Sequence, residues 1–214
     1  ADAVSTYLGF VQSKMTNLSS SITTWMSDRG AFRETFARQA LPMVWDFAEA
    51  NVLSNGGGGW TTFLDKEAKV IDALPAGGGI ATQADAASRD FNGFLISTDP
   101  PYYDNIGYSD LSDYFYVWLR GSLRTIYPEL LATMLVPKAE ELVANPHRHN
   151  GKQGAKSFFE DGFRSVFARA RENARSDYPI TVYYAFKQSE ADATGTASTG
   201  WETLLEGMIR SGWE

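Results

Sequence analysis

Apolar residues recur every three to four positions in several parts of the chain, which is the spacing of one face of an α-helix. The predicted helices span residues 4–41, 61–74, 111–127, 155–175 and 199–211. Pro42 ends or kinks the first of these helices, and residues 44–50 extend it by one or two helical turns. Short apolar runs bounded by turn residues predict buried strands over 80–82, 94–98 and 180–186. Because strands alternate with helices, the pattern indicates an α/β fold with a largely parallel sheet.

Composition narrows the class of protein. Of the 214 residues, 43% are hydrophobic and 14% aromatic, which suffices for a core and excludes disordered or collagen-like chains. No uninterrupted apolar run approaches ~18 residues, and no basic segment followed by an apolar run begins the chain. We therefore expect no membrane span and a cytoplasmic location. The chain has no cysteine, which excludes disulfides, thiol nucleophiles and thiolate metal sites.

Charge is unevenly distributed along the chain. The formal net charge of −7 argues against a protein that binds nucleic acid non-specifically along its length. Residues 138–175, however, contain eight basic and five acidic side chains. This segment is either a solvated helix face or a surface that contacts phosphates. His147 and His149 lie in it with no carboxylate beside them, and a metal site needs further ligands. We expect solvated loop histidines and no metal.

The residues with the clearest chemical meaning are Asp99, Pro100, Pro101 and Tyr102, which follow the predicted strand 94–98. In open α/β sheets, ligands bind at the carboxyl ends of the strands. Proline has no N–H, so nearby carbonyls keep acceptor capacity, and an ionised aspartate only accepts hydrogen bonds. Tyrosine offers a flat face for a planar ring. Such a site suits an amino group on an aromatic ring; the alternative is a proline-stiffened turn with a capping aspartate.

The longer run STDPPYYDNIGYSDLSDYFYVWLR at 97–120 resembles S-adenosylmethionine-dependent DNA amino-methyltransferases, in particular the large bacterial adenine-specific DNA methylases. Further stretches that resemble this family are FARQALPMVWDFAEAN at 36–51, LVPKAEELVANP at 135–146, TVYYAFKQ at 181–188 and ASTGWETLLEGMIRSGW at 197–213. The resemblance implies a Rossmann-like methyltransferase fold of three αβα layers, with S-adenosylmethionine as cofactor. It also implies methyl transfer to an exocyclic amine in DNA, with adenine N6 favoured over cytosine N4.

The resemblance also assigns roles to individual residues. Asp99 and the carbonyl of Pro100 would accept hydrogen bonds from the target amine, Pro101 would complete the turn, and Tyr102 would stack on the flipped base. Gln83 and Asp85 would contact the adenine of the cofactor, although Asp85 is equally well interpreted as a helix N-cap. The implied DNA contacts are Tyr103, Asn105, Lys138, Arg148 and Lys187.

One part of the family pattern is missing. In the family, a glycine-rich turn follows the first strand and holds the methionyl end of the cofactor. This sequence has no counterpart of that turn, because neither 56–59 nor 77–79 lies between a predicted strand and a predicted helix. We therefore expect the C-terminal part of a larger methylase that lacks its first strands and associates with the upstream part of the same chain. The expected organisation is a mainly helical segment over 1–75 and a catalytic part over 76–214, with 138–175 as a DNA-contacting insertion.

Two alternatives to a DNA methyltransferase remain open at this stage. The first is an incomplete or relic domain that binds DNA or a partner without turnover, and on either interpretation the isolated chain is expected to be inactive. The second is an RNA or protein amino-methyltransferase, although such enzymes more often have asparagine at the position of Asp99.

Overall fold

The computed structural model describes residues 1–37, 43–75, 77–103, 106–184 and 199–214. Within these residues it contains five helices and four strands of two residues each. The helices are α1 (Asp2–Thr16), α2 (Trp60–Ala73), α3 (Tyr108–Leu123), α4 (Lys152–Asn173) and α5 (Thr199–Arg210). The strands are β1 (Trp25–Met26), β2 (Ala31–Phe32), β3 (Ser97–Thr98) and β4 (Thr181–Val182).

The described strands form two small sheets. β1 and β2 pair antiparallel, with Trp25 opposite Phe32, while β3 and β4 pair parallel, with Ser97 opposite Thr181. The expected α/β class is confirmed in this coarse form, as a mixed α/β protein. A single parallel pair of two-residue strands does not define a three-layer fold, so the Rossmann-like architecture stays a prediction.

The prediction of one long first helix over 4–41 is wrong for residues 17–37, and residues 38–41 lie outside the described residues. Residues 17–35 instead form a polar loop and the β1–β2 hairpin, because serine, threonine and asparagine side chains compete for the backbone groups that a helix would use. The Thr35 N–H donates to the Asn17 carbonyl at 2.7 Å, and the Thr35 hydroxyl donates to the same oxygen at 2.9 Å. The buried hydroxyl of Thr35 also lies 2.7 Å from that of Ser20. These bonds stabilise the loop in place of further helical turns.

Three shorter predictions also differ from the structure. Residues 80–82 form no strand, and Ile80 is 95% exposed, because no strand among the described residues pairs with this segment. Within 94–98 only β3 is a strand, and Phe94 and Leu95 are more than half exposed. Residues 44–50 contain no helical turn. Each segment is apolar enough for a strand or helix, but regular structure also needs a partner to pack against.

The chain divides into two compact units, one formed by residues 1–81 with 109–137 and the other by 82–108 with 138–214. This division assigns 109–137 to the first unit, whereas the sequence prediction included it in the catalytic part; the domain boundaries stay a prediction. In the first unit α1 packs on α2, and the core there contains Val11, Met15 and Phe63.

The core of the second unit is one face of α4. Its buried side chains recur every three or four residues and are Ala155, Phe159, Phe163, Phe167 and Ala170. Leu204 of α5 completes the buried cluster, and Tyr103 and Tyr184 pack against it. The core therefore holds the segments that follow β3 and β4. In the described ranges, no helix combines the length and apolar character that a membrane crossing requires.

Candidate active site

The Asp-Pro-Pro-Tyr segment begins where the parallel ladder ends. Thr98 lies opposite Val182 in the β3–β4 pair, and the Tyr183 N–H donates to the Thr98 carbonyl at 2.8 Å. Asp99 is the next residue, so it lies at the carboxyl edge of both strands. The sequence prediction that Asp99 to Tyr102 follow a strand directly is confirmed, although that strand is shorter than expected.

Asp99 and Tyr102 are close to each other at this edge. The Tyr102 hydroxyl donates to Asp99 Oδ1 at 3.4 Å, a long hydrogen bond that brings the carboxylate beside the ring. The Tyr102 ring meets the Tyr184 ring edge-to-face, with centroids 5.2 Å apart. Asp99 is exposed and Tyr102 is half-buried, so both remain accessible to a ligand. Chemically, the arrangement offers an acceptor next to an aromatic surface.

Tyr103 connects this segment to the core and to a distant loop. Its ring packs edge-to-face on Phe159 at 5.0 Å, and its N–H donates to the Tyr184 hydroxyl at 3.4 Å. Its carbonyl accepts a hydrogen bond of 2.7 Å from the Ala144 N–H. The residue after the motif is therefore held from three sides, and residues near 144 lie beside the motif.

The loop from Glu141 to Gly151 is held by polar contacts of its own. Arg148 forms an ion pair of 2.8 Å with Glu141, and both side chains are largely buried. The Gly151 N–H donates to the Pro146 carbonyl at 2.9 Å. His149 stacks on Phe158 with ring centroids 3.9 Å apart, so it is a packed side chain and not the solvated histidine expected from the sequence.

A cleft of about 400 Å³ lies between Tyr103 and this loop. Its lining residues are Tyr103, Gly107, Val143, Ala144, Asn145, Pro146, Lys152 and Ala155. Sequence reasoning singled out Tyr103 but missed Asn145, because about forty positions separate it from the motif. The contact that joins the two segments, from the Ala144 N–H to the Tyr103 carbonyl, is tertiary and leaves no local sequence signal.

The predicted cofactor residues lie in a turn. Asp85 Oδ1 accepts from the Ala87 N–H at 3.0 Å, so this carboxylate caps a turn and not a helix. Gln83 is exposed. A second cleft, of about 320 Å³, is lined by Ala84 and Ala86, by apolar residues of 91–96 and of α4, and by the polar residues Arg89, Ser97 and Thr98. The structure thus brings the turn next to a cleft with a mixed apolar and polar lining.

The predicted DNA contacts have different surroundings. Lys138 is half-buried, and Arg148 is engaged with Glu141. Asn105 and Lys187 lie outside the described residues. Among the residues that the structure describes, no group of three or more histidine, aspartate or glutamate side chains is arranged to hold a metal ion.

Comparisons with protein-family models, with curated proteins and with solved structures found no match. The structure alone shows a mixed α/β protein with an aspartate and a tyrosine at the carboxyl edge of a parallel strand pair. A functional assignment therefore depends on the sequence motif and on the geometry of this site.

Proposed function

We propose that this chain is part of an S-adenosylmethionine-dependent methyltransferase that acts on an exocyclic amine in DNA, with adenine N6 as the favoured target. The observation that carries the proposal is the direct passage from β3 into Asp99-Pro-Pro-Tyr102, at the edge where the parallel strands end. A Rossmann-like methyltransferase fold of three layers belongs to the same proposal. The parallel pairing of β3 and β4 supports that fold.

The proposed role of Asp99 and Pro100 is to orient the amine. An exocyclic amine is a weak nucleophile because its lone pair is delocalised into the ring. The Asp99 carboxylate and the Pro100 carbonyl accept one hydrogen bond each from its two N–H groups, which favours a tetrahedral nitrogen with a localised lone pair. Holding the amine in this geometry also removes the entropic cost of aligning it for attack.

The proposed role of Tyr102 is to hold the target base. A base that reacts at its exocyclic amine must leave the duplex, and an aromatic side chain compensates for the lost stacking by about 1–3 kcal/mol. The edge-to-face contact with Tyr184 and the hydrogen bond to Asp99 limit the movement of the Tyr102 ring. The ring is therefore preorganised for stacking beside Asp99.

The cofactor fits the described residues only in part. S-adenosylmethionine would supply an electrophilic methyl group, and the cleft beside Ala84 and Ala86, with its apolar side chains and a few polar ones, suits a flat ring such as its adenine. Neither described glycine run, 56–59 or 77–79, lies between a strand and a helix. We therefore assign no residue to the methionyl end of the cofactor.

Methyl transfer tests the role of Asp99. In the protein expressed from its complete reading frame, Asp99→Ala should lower transfer of labelled methyl groups to unmethylated DNA by at least ~100-fold, the scale of one lost transition-state contact. Asp90→Ala is the matched control, since Asp90 is an exposed aspartate that only caps a turn through the Asn92 N–H. Equal activity of Asp99→Ala and Asp90→Ala would refute the assignment.

The second candidate function is DNA binding without turnover, which the missing glycine-rich turn favours. Calorimetric titration of the 214-residue chain with S-adenosylmethionine distinguishes the two. We expect binding weaker than micromolar and no methyl transfer by this chain alone, because contacts to the methionyl end are lacking. Micromolar binding with turnover would show that the chain contains a complete cofactor site and would exclude the second candidate.

A further inference from the structure

The cleft beside Tyr103, called the Tyr103 cleft below, is lined by polar side chains that donate hydrogen bonds or carry a positive charge. Among the residues that the structure describes, its lining includes one lysine and one asparagine but no carboxylate. Its volume of about 400 Å³ lies in the range of small-ligand pockets, so it can admit a phosphate with its sugar. The cleft therefore suits a ligand that accepts hydrogen bonds and carries negative charge.

Asn145 contributes hydrogen-bond donors to the cleft. Its Oδ1 accepts a hydrogen bond of 2.9 Å from the His147 N–H, which holds the side-chain amide in one orientation. The group that remains is the NH₂, which carries two donors and cannot accept. Because the loop is also held by the bond from Ala144 to Tyr103, this donor is preorganised beside the motif.

Lys152 contributes the positive charge. It is exposed, it is the first residue of α4, and its ammonium has no ion pair or hydrogen bond with any residue that the structure describes. Two cations near it are paired with carboxylates: Lys156 lies 3.6 Å from Glu160, and Arg148 pairs with Glu141. An ammonium without a carboxylate partner attracts anions more strongly than a paired one.

We propose that the Tyr103 cleft binds a backbone phosphate of the DNA strand, through the Lys152 ammonium and the Asn145 amide. The identity of the strand as DNA rests on the proposed function. Tyr103 follows directly after Tyr102, so the phosphate site adjoins the site proposed for the flipped base. Contacts of this kind position a strand and carry no sequence information.

Binding of a fluorescein-labelled single strand of DNA tests the role of Lys152. Fluorescence anisotropy with the 214-residue chain over a series of salt concentrations gives both the affinity and its salt dependence. Lys152→Gln should weaken binding about tenfold, the scale of one charge-assisted hydrogen bond. It should also reduce the slope of log K against log salt by about 0.7, for strands of any sequence. Lys156→Gln is the matched control and should change both quantities much less.

A second variant pair tests the role of Asn145. Asn145→Asp keeps an oxygen acceptor for the His147 N–H but replaces the NH₂ donor with a charged oxygen, so binding should weaken at least tenfold. Asn150→Asp introduces the same charge at an exposed position of the same loop outside the lining, and it should have a smaller effect. Unchanged circular dichroism excludes misfolding as the cause, and both substituted side chains are at least partly exposed.

The outcomes separate this proposal from the proposed function. Equal effects of Lys152→Gln and Lys156→Gln, or an absence of DNA binding by the unmodified chain, would each overturn the phosphate site. A Lys152-dependent preference for RNA of the same sequence would overturn the assignment of the strand as DNA. Binding that depends on Lys152 and Asn145, with no methylation of DNA by the protein from its complete reading frame, would support the phosphate site and refute methyl transfer. The same binding with methylation that does not depend on Asp99 would support the phosphate site and refute the role of Asp99.

Discussion

Gly154 lies at the third position of α4, where the chain leaves the loop that lines the Tyr103 cleft. A Cβ at this position would lie 1.9 Å from the backbone carbonyl oxygen of His149. This distance is more than an ångström shorter than a close C–H···O contact of about 3.3 Å. A backbone oxygen cannot rotate away as a side chain can, so Gly154→Ala must shift the loop or the helix start.

The cost of this shift follows from the contacts around Gly154. Overpacking costs about 1–3 kcal/mol. Loss of a neighbouring backbone bond, such as that from the Gly151 N–H to the Pro146 carbonyl, costs about 1 kcal/mol. The helix propensity of alanine returns at most about 1 kcal/mol. We therefore expect Gly154→Ala to lower the free energy of unfolding of the second unit by about 2 kcal/mol.

Hydrogen–deuterium exchange of peptides from α4 measures this free energy without interference from the first unit. A loss of about 2 kcal/mol corresponds to exchange about 30-fold faster. Gly207→Ala is the matched control: Gly207 lies inside α5 in the same unit, and a Cβ there meets nothing within 4 Å. That variant should slow exchange, because alanine favours the helix by up to about 1 kcal/mol. If both variants changed exchange in the same direction, the steric argument would be wrong.

Two further predictions concern the second unit. Phe163→Ala should lower the free energy of unfolding of this unit by about 3–5 kcal/mol, because Phe163 is 3% exposed and its ring stacks on Phe159. Urea unfolding measures this loss, which should be much larger than the loss caused by Phe163→Leu. Arg175 donates to Asp177 Oδ1 at 2.9 Å and holds the pKa of this carboxyl below its usual value. The stabilisation of the folded state by this contact is therefore fully present above the ordinary pKa of an aspartate. It is lost as the pH falls through the lowered pKa of Asp177. An NMR titration should show the pKa of Asp177 rise in Arg175→Gln; an unchanged value would refute the coupling.

The sequence predicted several helices well because helical spacing is a local property. The predictions over 61–74, 155–175 and 199–211 correspond to α2, α4 and α5 within a few residues. In α4, Phe159, Phe163 and Phe167 recur every four positions and belong to the buried face in the structure, whereas Phe158 is only half-buried. The predicted position of Asp99 directly after a strand is likewise confirmed, since a short strand and a proline turn leave a local signal.

The same reasoning was wrong where regular structure depends on distant partners. The apolar periodicity of 4–41 continues past Thr16, but hydrogen bonds between Asn17 and Thr35 replace further turns. The strand predicted over 80–82 has the right residue types and no neighbour to pair with. Apolar residues make a strand or helix favourable only when another segment covers them.

The sequence by itself determined where α2, α4 and α5 lie and which residues form the aspartate–proline–proline–tyrosine segment. Only the tertiary structure decided which residues surround that segment. The bond from Ala144 to Tyr103 brings Asn145 and Lys152 to the motif, and the neutralisation of Arg148 by Glu141 distinguishes that cation from Lys152. The first of these relations joins positions about forty residues apart and the second depends on the fold of the loop before α4, so neither follows from apolar periodicity along the chain.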